Sequence, residues 1–173
     1  MACRARWISG GGFVSARIDP DEWHQISQLL ARYWARADGL CSESAGEMFV
    51  EHGELVLGQL RLEGRAHIER FFIERDAAHA AQSRITRHFS SPPWVVSAAD
   101  DRVELRSTVM VFAGCGAWPL AMSLPTGVAD FHDICERDAV HGWRFRSRCA
   151  TSVFVGEGAA AFARGNAQTE TTR

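Results

Sequence analysis

Apolar residues recur every three or four positions over residues 26–37, and this spacing predicts an amphipathic helix with one buried stripe. Asp19 can serve as the N-cap and Pro20 as the first helical residue, while Gly39 is a typical stop just past the C-terminal end. Asp38 is therefore expected in the last turn. The stripe consists of Ile26, Leu29, Leu30, Tyr33 and Ala37.

Shorter patterns follow this helix. Residues 42–50 predict a second, short helix. Residues 54–57 and 59–63 predict two short strands that form a hairpin with its turn near Gly58. Residues 65–80 predict a third helix.

Long strands dominate the second half of the chain. The first is interrupted by Pro92 and Pro93, which indicates a sheet edge or a bulge. Strands and helices do not alternate here, so we expect an antiparallel sheet and an α+β fold with the helices packed on one face of a curved sheet. The predicted strands cover about residues 85–98, 103–111, 126–135 and 142–155.

Arginines alternate with other residues along the last predicted strand. Unbroken alternation would give this strand an arginine face and an apolar face. We expect the arginine face to be solvated, although Arg146 or Arg148 could instead hold an anionic group of a substrate. The two sets are Trp143, Phe145, Ser147 and Cys149 on one face and Arg144, Arg146 and Arg148 on the other.

Composition changes at both ends of the chain. Residues 1–17 are rich in glycine and arginine without periodicity, which predicts a mobile N-terminal arm. Residues 157–173 are rich in alanine, glycine and threonine, which predicts a disordered C-terminal tail. One domain over residues 18–156 remains, and a domain of this size can bury a core without disulfides or metals.

The formal net charge of −2 gives no basic excess of the kind that nucleic-acid binding requires. No apolar run approaches the roughly 20 residues that span a bilayer, and the N-terminus lacks the apolar core of a signal peptide. We therefore expect neither nucleic acid nor a membrane as a partner. The five cysteines include no C-x-x-C pair, so we predict free thiols in a reducing cytoplasm.

The motifs that would indicate a metal or cofactor are missing from the sequence. Histidines are scattered without paired spacing. The glycines at 10–12 precede no strand–helix unit that could cradle a phosphate, and a G-x-S-x-G nucleophile motif does not occur. We therefore expect cofactor-independent chemistry and no metal site.

Asp38 is a candidate for chemistry because a carboxylate in the last turn of a helix faces the negative end of the helix dipole, at a cost of about 0.3–1 kcal/mol. One interpretation is a solvated helix end, paired with Arg36. The other is a functional base whose pKa is raised.

The strand at residues 126–135 offers further acid–base groups. Asp130 and His132 would share one face and Asp133 the other. Either Asp130 with His132, or Asp133, could contact a substrate, whereas a salt-bridged surface strand is the alternative and is favoured for Asp133. Trp118 and Phe112 could line an apolar pocket or pack in the core.

Several short motifs, in order over residues 22–155, together resemble the SnoaL-like branch of the nuclear transport factor 2-like superfamily. This superfamily includes scytalone dehydratase, bile acid 7α-dehydratase and polyketide cyclases. The motifs are Ile26-x-x-Leu29…Tyr33-x-x-x-x-Asp38, Met48-Phe49, Leu62-Glu63-Gly64…Ile68-x-x-Phe71-Phe72, Thr86-Arg87-His88-Phe89, Asp130-Phe131-x-Asp133 and Gly142-Trp143-Arg144-Phe145…Arg148.

The resemblance implies a cone-shaped α+β barrel, in which three helices wrap a strongly curved antiparallel sheet around an apolar pocket. In the dehydratase-like members, an aspartate at the end of the first helix pairs with a histidine on the first long strand. Asp38 and His88 are the matching positions in this chain. Tyr33 matches the helix tyrosine of the bile acid dehydratase type.

These resemblances lead to two hypotheses. The first is a dehydratase, isomerase or cyclase for a hydrophobic polycyclic or polyketide-like molecule. His88 would act as general base or acid, Asp38 would orient it, and Tyr33 would donate a hydrogen bond to a carbonyl or leaving oxygen. The second is a non-catalytic ligand-binding module, or a partner subunit like the β chain of aromatic-ring dioxygenases. A homodimer or homo-oligomer formed through the sheet fits both.

Overall fold

The computed structural model describes residues 18–164. It contains two α-helices, α1 (Pro20–Ala37) and α2 (Arg65–Ala81), and two 3₁₀ turns at Gly46–Met48 and Ala161–Ala163. Seven strands form one mixed sheet, so the α+β fold class is confirmed. The strands are β1 (Phe49–Leu57), β2 (Leu60–Glu63), β3 (Arg84–Ser90), β4 (Trp94–Ala99), β5 (Arg102–Cys115), β6 (Gly127–Asp138) and β7 (Gly142–Val155).

Helix α1 begins and ends where the sequence predicts. The Asp19 carboxylate accepts the backbone N–H of Asp21 at 2.9 Å, and Pro20 occupies the first helical position. Asp38 caps the C-terminal end and Gly39 follows with φ = +66°, a left-handed conformation that favours glycine. The predicted apolar stripe is buried against the sheet, so the helix is fixed by packing as well as by its caps.

The predicted second helix at residues 42–50 is wrong. Only a 3₁₀ turn forms, and β1 already begins at Phe49. Glu69 of α2 explains this, because its carboxylate accepts the Ser44 hydroxyl at 2.7 Å and the Gly46 N–H at 2.9 Å. A Cβ atom at Gly46 would lie 2.7 Å from the Arg65 carbonyl oxygen, so this segment is held close against α2. The domain therefore has two α-helices rather than three.

The strand order is β2-β1-β7-β6-β5-β3, with β4 also paired to β5. The expectation of a wholly antiparallel sheet is wrong at one place, because β1 and β7 run parallel. These two strands lie at opposite ends of the domain sequence, so no tight turn forces them to be antiparallel. The sheet is open rather than a closed barrel. Strands β3 and β4 follow one another along the edge of β5, with Pro92 and Pro93 in the gap, as predicted for an edge interruption.

A bulge in β7 reverses the predicted alternation of its side chains. Cys135 of β6 lies opposite Phe145, but the preceding Ile134 lies opposite Ser147, so Arg146 is an extra residue in β7. Arg148 therefore shares the interior face with Phe145 and is fully buried. The expectation of a solvated arginine face is wrong for Arg148, and also for Arg144, which is buried and donates to Glu47 at 3.3 Å.

The described chain extends past the predicted domain end at residue 156. Residues 157–164 form a turn and the second 3₁₀ turn. They contact the β1–β2 hairpin, where the backbone N–H of Gln59 donates to the Phe162 carbonyl at 2.9 Å. The predicted N-terminal arm at residues 1–17 and the last part of the predicted tail, residues 165–173, lie outside the described residues. Within residues 18–164, neither helix is long and apolar enough to cross a bilayer.

Candidate active site

The end of α1 and strand β3 bring Asp38 and His88 into direct contact. The Asp38 Oδ1 lies 2.6 Å from the His88 Nδ1, and the Asp38 Oδ2 accepts the backbone N–H of His88 at 2.9 Å. The Thr86 hydroxyl lies 3.1 Å from Oδ1. An ionised carboxylate only accepts hydrogen bonds, so Nδ1 carries the proton and donates it. In the neutral ring this leaves Nε2 as the basic nitrogen.

The pKa of the Asp38 carboxyl is lower than usual. Burial by itself raises it, but the hydrogen bonds from the ring and backbone of His88, the charge of His88 and the hydrogen bond from Thr86 together outweigh burial. The expectation of a raised pKa, drawn from the helix dipole, is wrong because these direct donors act at closer range. Asp38 is therefore a stable anion at neutral pH, suited to orienting His88.

Trp34 packs against one face of the His88 ring. The two rings are stacked with centroids 4.8 Å apart and an interplanar angle of 21°. Trp34 precedes Asp38 by four residues on α1, so both side chains lie on one side of the helix. Sequence analysis missed this residue, although the i, i+4 spacing to Asp38 was a usable signal.

An apolar cavity of about 130 Å³ lies beside the dyad. Its wall is mainly aromatic and aliphatic, and includes Trp34, Phe72 and Phe131. The polar side chains among its lining residues are Tyr33, Arg75, His88 and Ser152. A histidine with one nitrogen held by a carboxylate therefore faces a mostly apolar space, as the resemblance implies.

Tyr33 lies in the same cavity wall and is buried. Burial raises the pKa of its phenol, although Arg148 opposes this effect, so Tyr33 remains a protonated hydrogen-bond donor at neutral pH. Its ring packs edge-on against Trp34, Phe72 and Phe145. These contacts hold Tyr33 in a fixed orientation.

Arg75 of α2 ties the end of α1 to the cavity. Its guanidinium donates to the Ala37 carbonyl at 2.7 Å and lies over the Phe72 ring, 4.7 Å from the ring centroid. This contact stabilises the helix end from which Asp38 projects. No local pattern in the chain singled out Arg75.

Arg148 and Asp133 form a buried pair behind the cavity wall. The Arg148 Nε lies 3.6 Å from the Asp133 Oδ1, and both side chains are buried. The guanidinium carbon lies 4.0 Å from the Tyr33 ring centroid and 4.5 Å from that of Trp34. Burial raises the pKa of Asp133, and the charge of Arg148 partly offsets this rise.

The prediction that Asp133 lies on a salt-bridged surface strand is wrong. The predicted substrate contact for Arg148 is not supported either, since Arg148 is absent from the cavity lining.

Asp130 and His132 lie on the other face of the sheet. Asp130 is opposite Thr108 of β5, whereas His88 is opposite Val111, three residues further along, so Asp130 and His88 point to opposite faces. The Thr108 hydroxyl donates to Asp130 at 2.8 Å, and His132 Nε2 lies 2.6 Å from a Glu104 oxygen. These two residues therefore do not meet the dyad.

The two predicted aromatic contacts also lie away from the cavity. Phe112 is opposite Arg87 on the outer face and packs edge-on against Phe89. Trp118 is exposed beneath the Arg87 guanidinium and lines a separate surface cleft of about 560 Å³. Asp38 borders that cleft too. Within residues 18–164, no three metal-binding side chains are grouped.

Residues 21–149 match the SnoaL-like domain family. ActVI-ORFA from Streptomyces coelicolor has a similar structure, with a TM-score of 0.67 at 18% identity, covering 79% of this chain and 98% of that one. Aln2 from a Streptomyces species gives 0.62 at 24% identity, with 77% and 91% covered. An NTF2-like protein with a cystatin-like fold from Novosphingobium aromaticivorans gives 0.62 at 26% identity, with 82% and 86% covered. No curated protein sequence matches the chain. On the family match over most of its length, the chain belongs to the SnoaL-like domain family.

Proposed function

We propose that this protein is a cofactor-independent acid–base enzyme that dehydrates, isomerises or cyclises a hydrophobic small molecule bearing a carbonyl group. The observation that carries the proposal is the 2.6 Å contact between Asp38 and His88, since His88 lines an apolar cavity. A base held in one tautomer beside a water-poor space is what proton abstraction from carbon requires.

In the proposed dehydration, His88 Nε2 takes a proton from the carbon next to the carbonyl. The electron pair of that C–H bond forms the new C=C bond, and the C–O bond on the adjacent carbon breaks. The imidazolium then returns its proton to the departing hydroxide, which leaves as water. Asp38 stabilises the imidazolium. The Tyr33 phenol donates a hydrogen bond to the carbonyl oxygen, on which negative charge develops.

The proposal can be tested without the natural substrate. Exchange of the α-protons of cyclohexanone in D₂O reports proton abstraction directly, and NMR follows it. Replacing His88 by alanine should slow the protein-catalysed exchange by about 10²–10⁴-fold with folding intact.

His132→Ala is the matched control, because His132 also has a carboxylate partner at 2.6 Å but lies on the opposite face. Its exchange rate should equal that of the wild type. Equal exchange by wild type and His88→Ala would contradict the proposal.

A non-catalytic role has one observation in its favour. Phe89, Met110, Val128 and Phe154 are successive register partners across four strands, and three of them are exposed. This apolar row on the outer face supports the homodimer that we propose, and it would also suit a different partner chain. Sedimentation velocity distinguishes a homodimer from a monomer. If the protein has no catalytic activity and only binds a partner chain through this row, His88→Ala should leave that binding unchanged.

A further inference from the structure

The cavity beside His88 is small for a ligand site. Its volume of about 130 Å³ lies well below the roughly 300–1,000 Å³ usual for small-molecule pockets. An apolar cavity of about 150 Å³ accommodates benzene. The space next to the dyad therefore corresponds to one six-membered ring.

The end of the described chain lines one side of this cavity. We call residues 156–164 the C-terminal strap. Phe162 and Ala163 of the strap line the space together with Trp34 and His88. The Phe162 ring also packs edge-on against Phe71 of α2, with centroids 6.2 Å apart. Phe162 therefore takes up volume that a larger ligand would need.

Specific contacts hold the strap in this position. The Phe162 carbonyl accepts the Gln59 N–H at 2.9 Å, and the Arg84 guanidinium donates to the Gly158 carbonyl at 2.7 Å. Gly58 lies directly beneath the crossing, where a Cβ atom would collide with the Phe162 carbonyl oxygen. Gly58 also has φ = +58°, so the backbone conformation favours glycine there, as does the close approach of Phe162. The hairpin turn is thus shaped to receive the strap.

We propose that the site takes a substrate with a single ring, and that Phe162 is the residue that sets this limit. The reaction in this inference rests on the proposed function. The size limit does not depend on it. It narrows the substrate class from the polycyclic molecules that the resemblance implies to monocyclic ketones and hydroxyketones. Phe162 acts as a specificity determinant through the volume it fills, whereas His88 acts through its proton.

The test measures binding of cyclohexanone, with one ring, and 1-tetralone, with two, by ligand-observed NMR. Burial of extra apolar area alone would make the two-ring ketone bind more tightly. A size limit reverses this order, so wild-type protein should bind 1-tetralone about tenfold or more weakly than cyclohexanone. In Phe162→Ala, binding of 1-tetralone should strengthen by about tenfold or more. Competition between the two ketones establishes that they share one site.

Phe154→Ala is the matched control, because Phe154 is an exposed phenylalanine of the outer face. It should leave the order of the two ketones unchanged. Tighter binding of 1-tetralone than of cyclohexanone by the wild type, or unchanged binding of 1-tetralone in folded Phe162→Ala, would overturn the size limit. Because His88 itself lines the cavity, the variant used here is His88→Gln, which keeps a similar side-chain volume but removes the imidazole base. It should keep the wild-type order while losing proton exchange, so failure of the size limit and failure of the proposed chemistry give different results.

Discussion

Both oxygens of the Asp38 carboxylate are bound by His88, one by the ring nitrogen Nδ1 at 2.6 Å and the other by the backbone N–H at 2.9 Å. The carboxylate therefore fixes the ring and the strand that carries it at the same time. Because Asp38 caps α1, the relative position of α1 and β3 is set at the site itself. Thr86, two residues before His88, adds a third donor on the same face of β3.

Replacing Asp38 by asparagine should lower the rate of proton abstraction by about 10²–10⁴-fold. The asparagine amide can donate to Nδ1, which favours the tautomer with the proton on Nε2 and removes the base. The ketone exchange assay measures the rate, and ¹⁵N NMR of the His88 ring reports the tautomer. Glu104→Gln, which alters the His132 pair on the outer face, is the matched control. A wild-type rate in Asp38→Asn would show that the carboxylate does not orient the base.

The contribution of Asp38 to stability should disappear in acid. Its pKa in the folded protein lies below the ordinary value of 3.8, so the folded state favours the ionised form. That stabilisation is fully present above the ordinary pKa and is lost as the pH falls through the lowered folded-state pKa. The difference in unfolding free energy between wild type and Asp38→Asn should shrink as the pH falls from about 5 through the ordinary and then the lowered pKa of Asp38. Urea denaturation over this pH range measures the difference. A difference that grows below about pH 5 would contradict the predicted loss of stabilisation in acid.

Breaking the buried Asp133–Arg148 pair should be costly. Arg148→Met leaves the Asp133 carboxyl buried without its cation, and the loss should be about 3–5 kcal/mol of unfolding free energy. Removing both charges in Asp133→Leu with Arg148→Met should cost less than the sum of the single changes, because no unpaired charge remains. Urea denaturation of all three variants gives the coupling.

The neighbouring exposed arginine serves as the control for that series. Arg146 lies in the β7 bulge, with its side chain 44% exposed and 3.9 Å from Glu136. Arg146→Met should cost less than about 1 kcal/mol. Additive effects of the Asp133 and Arg148 changes would show that the two charges do not stabilise each other.

The candidate site was only partly accessible from the sequence. The caps and apolar stripe of α1 fix where Asp38 lies, because they depend on residues close together in the chain. Its pairing with His88 came from the resemblance, since the two residues are 50 positions apart and no local pattern links them. Trp34 had a local signal in its spacing to Asp38. Thr86 had one as well, since it lies two residues before His88 on the same face of β3. Arg75 had none, because its role depends on contacts between separate elements.

Local sequence determined the two α-helices, the edge interruption at Pro92 and Pro93, and the placement of Asp38. Helix caps, periodicity and proline geometry act within a few residues, so one chain suffices to identify them. The tertiary structure decided which strand faces point inward. A single extra residue, Arg146, shifts the pleat of β7 and buries Arg148, and alternation alone cannot reveal a bulge. It also decided the size of the cavity, because Phe162 reaches it through contacts with residues about a hundred positions earlier in the chain.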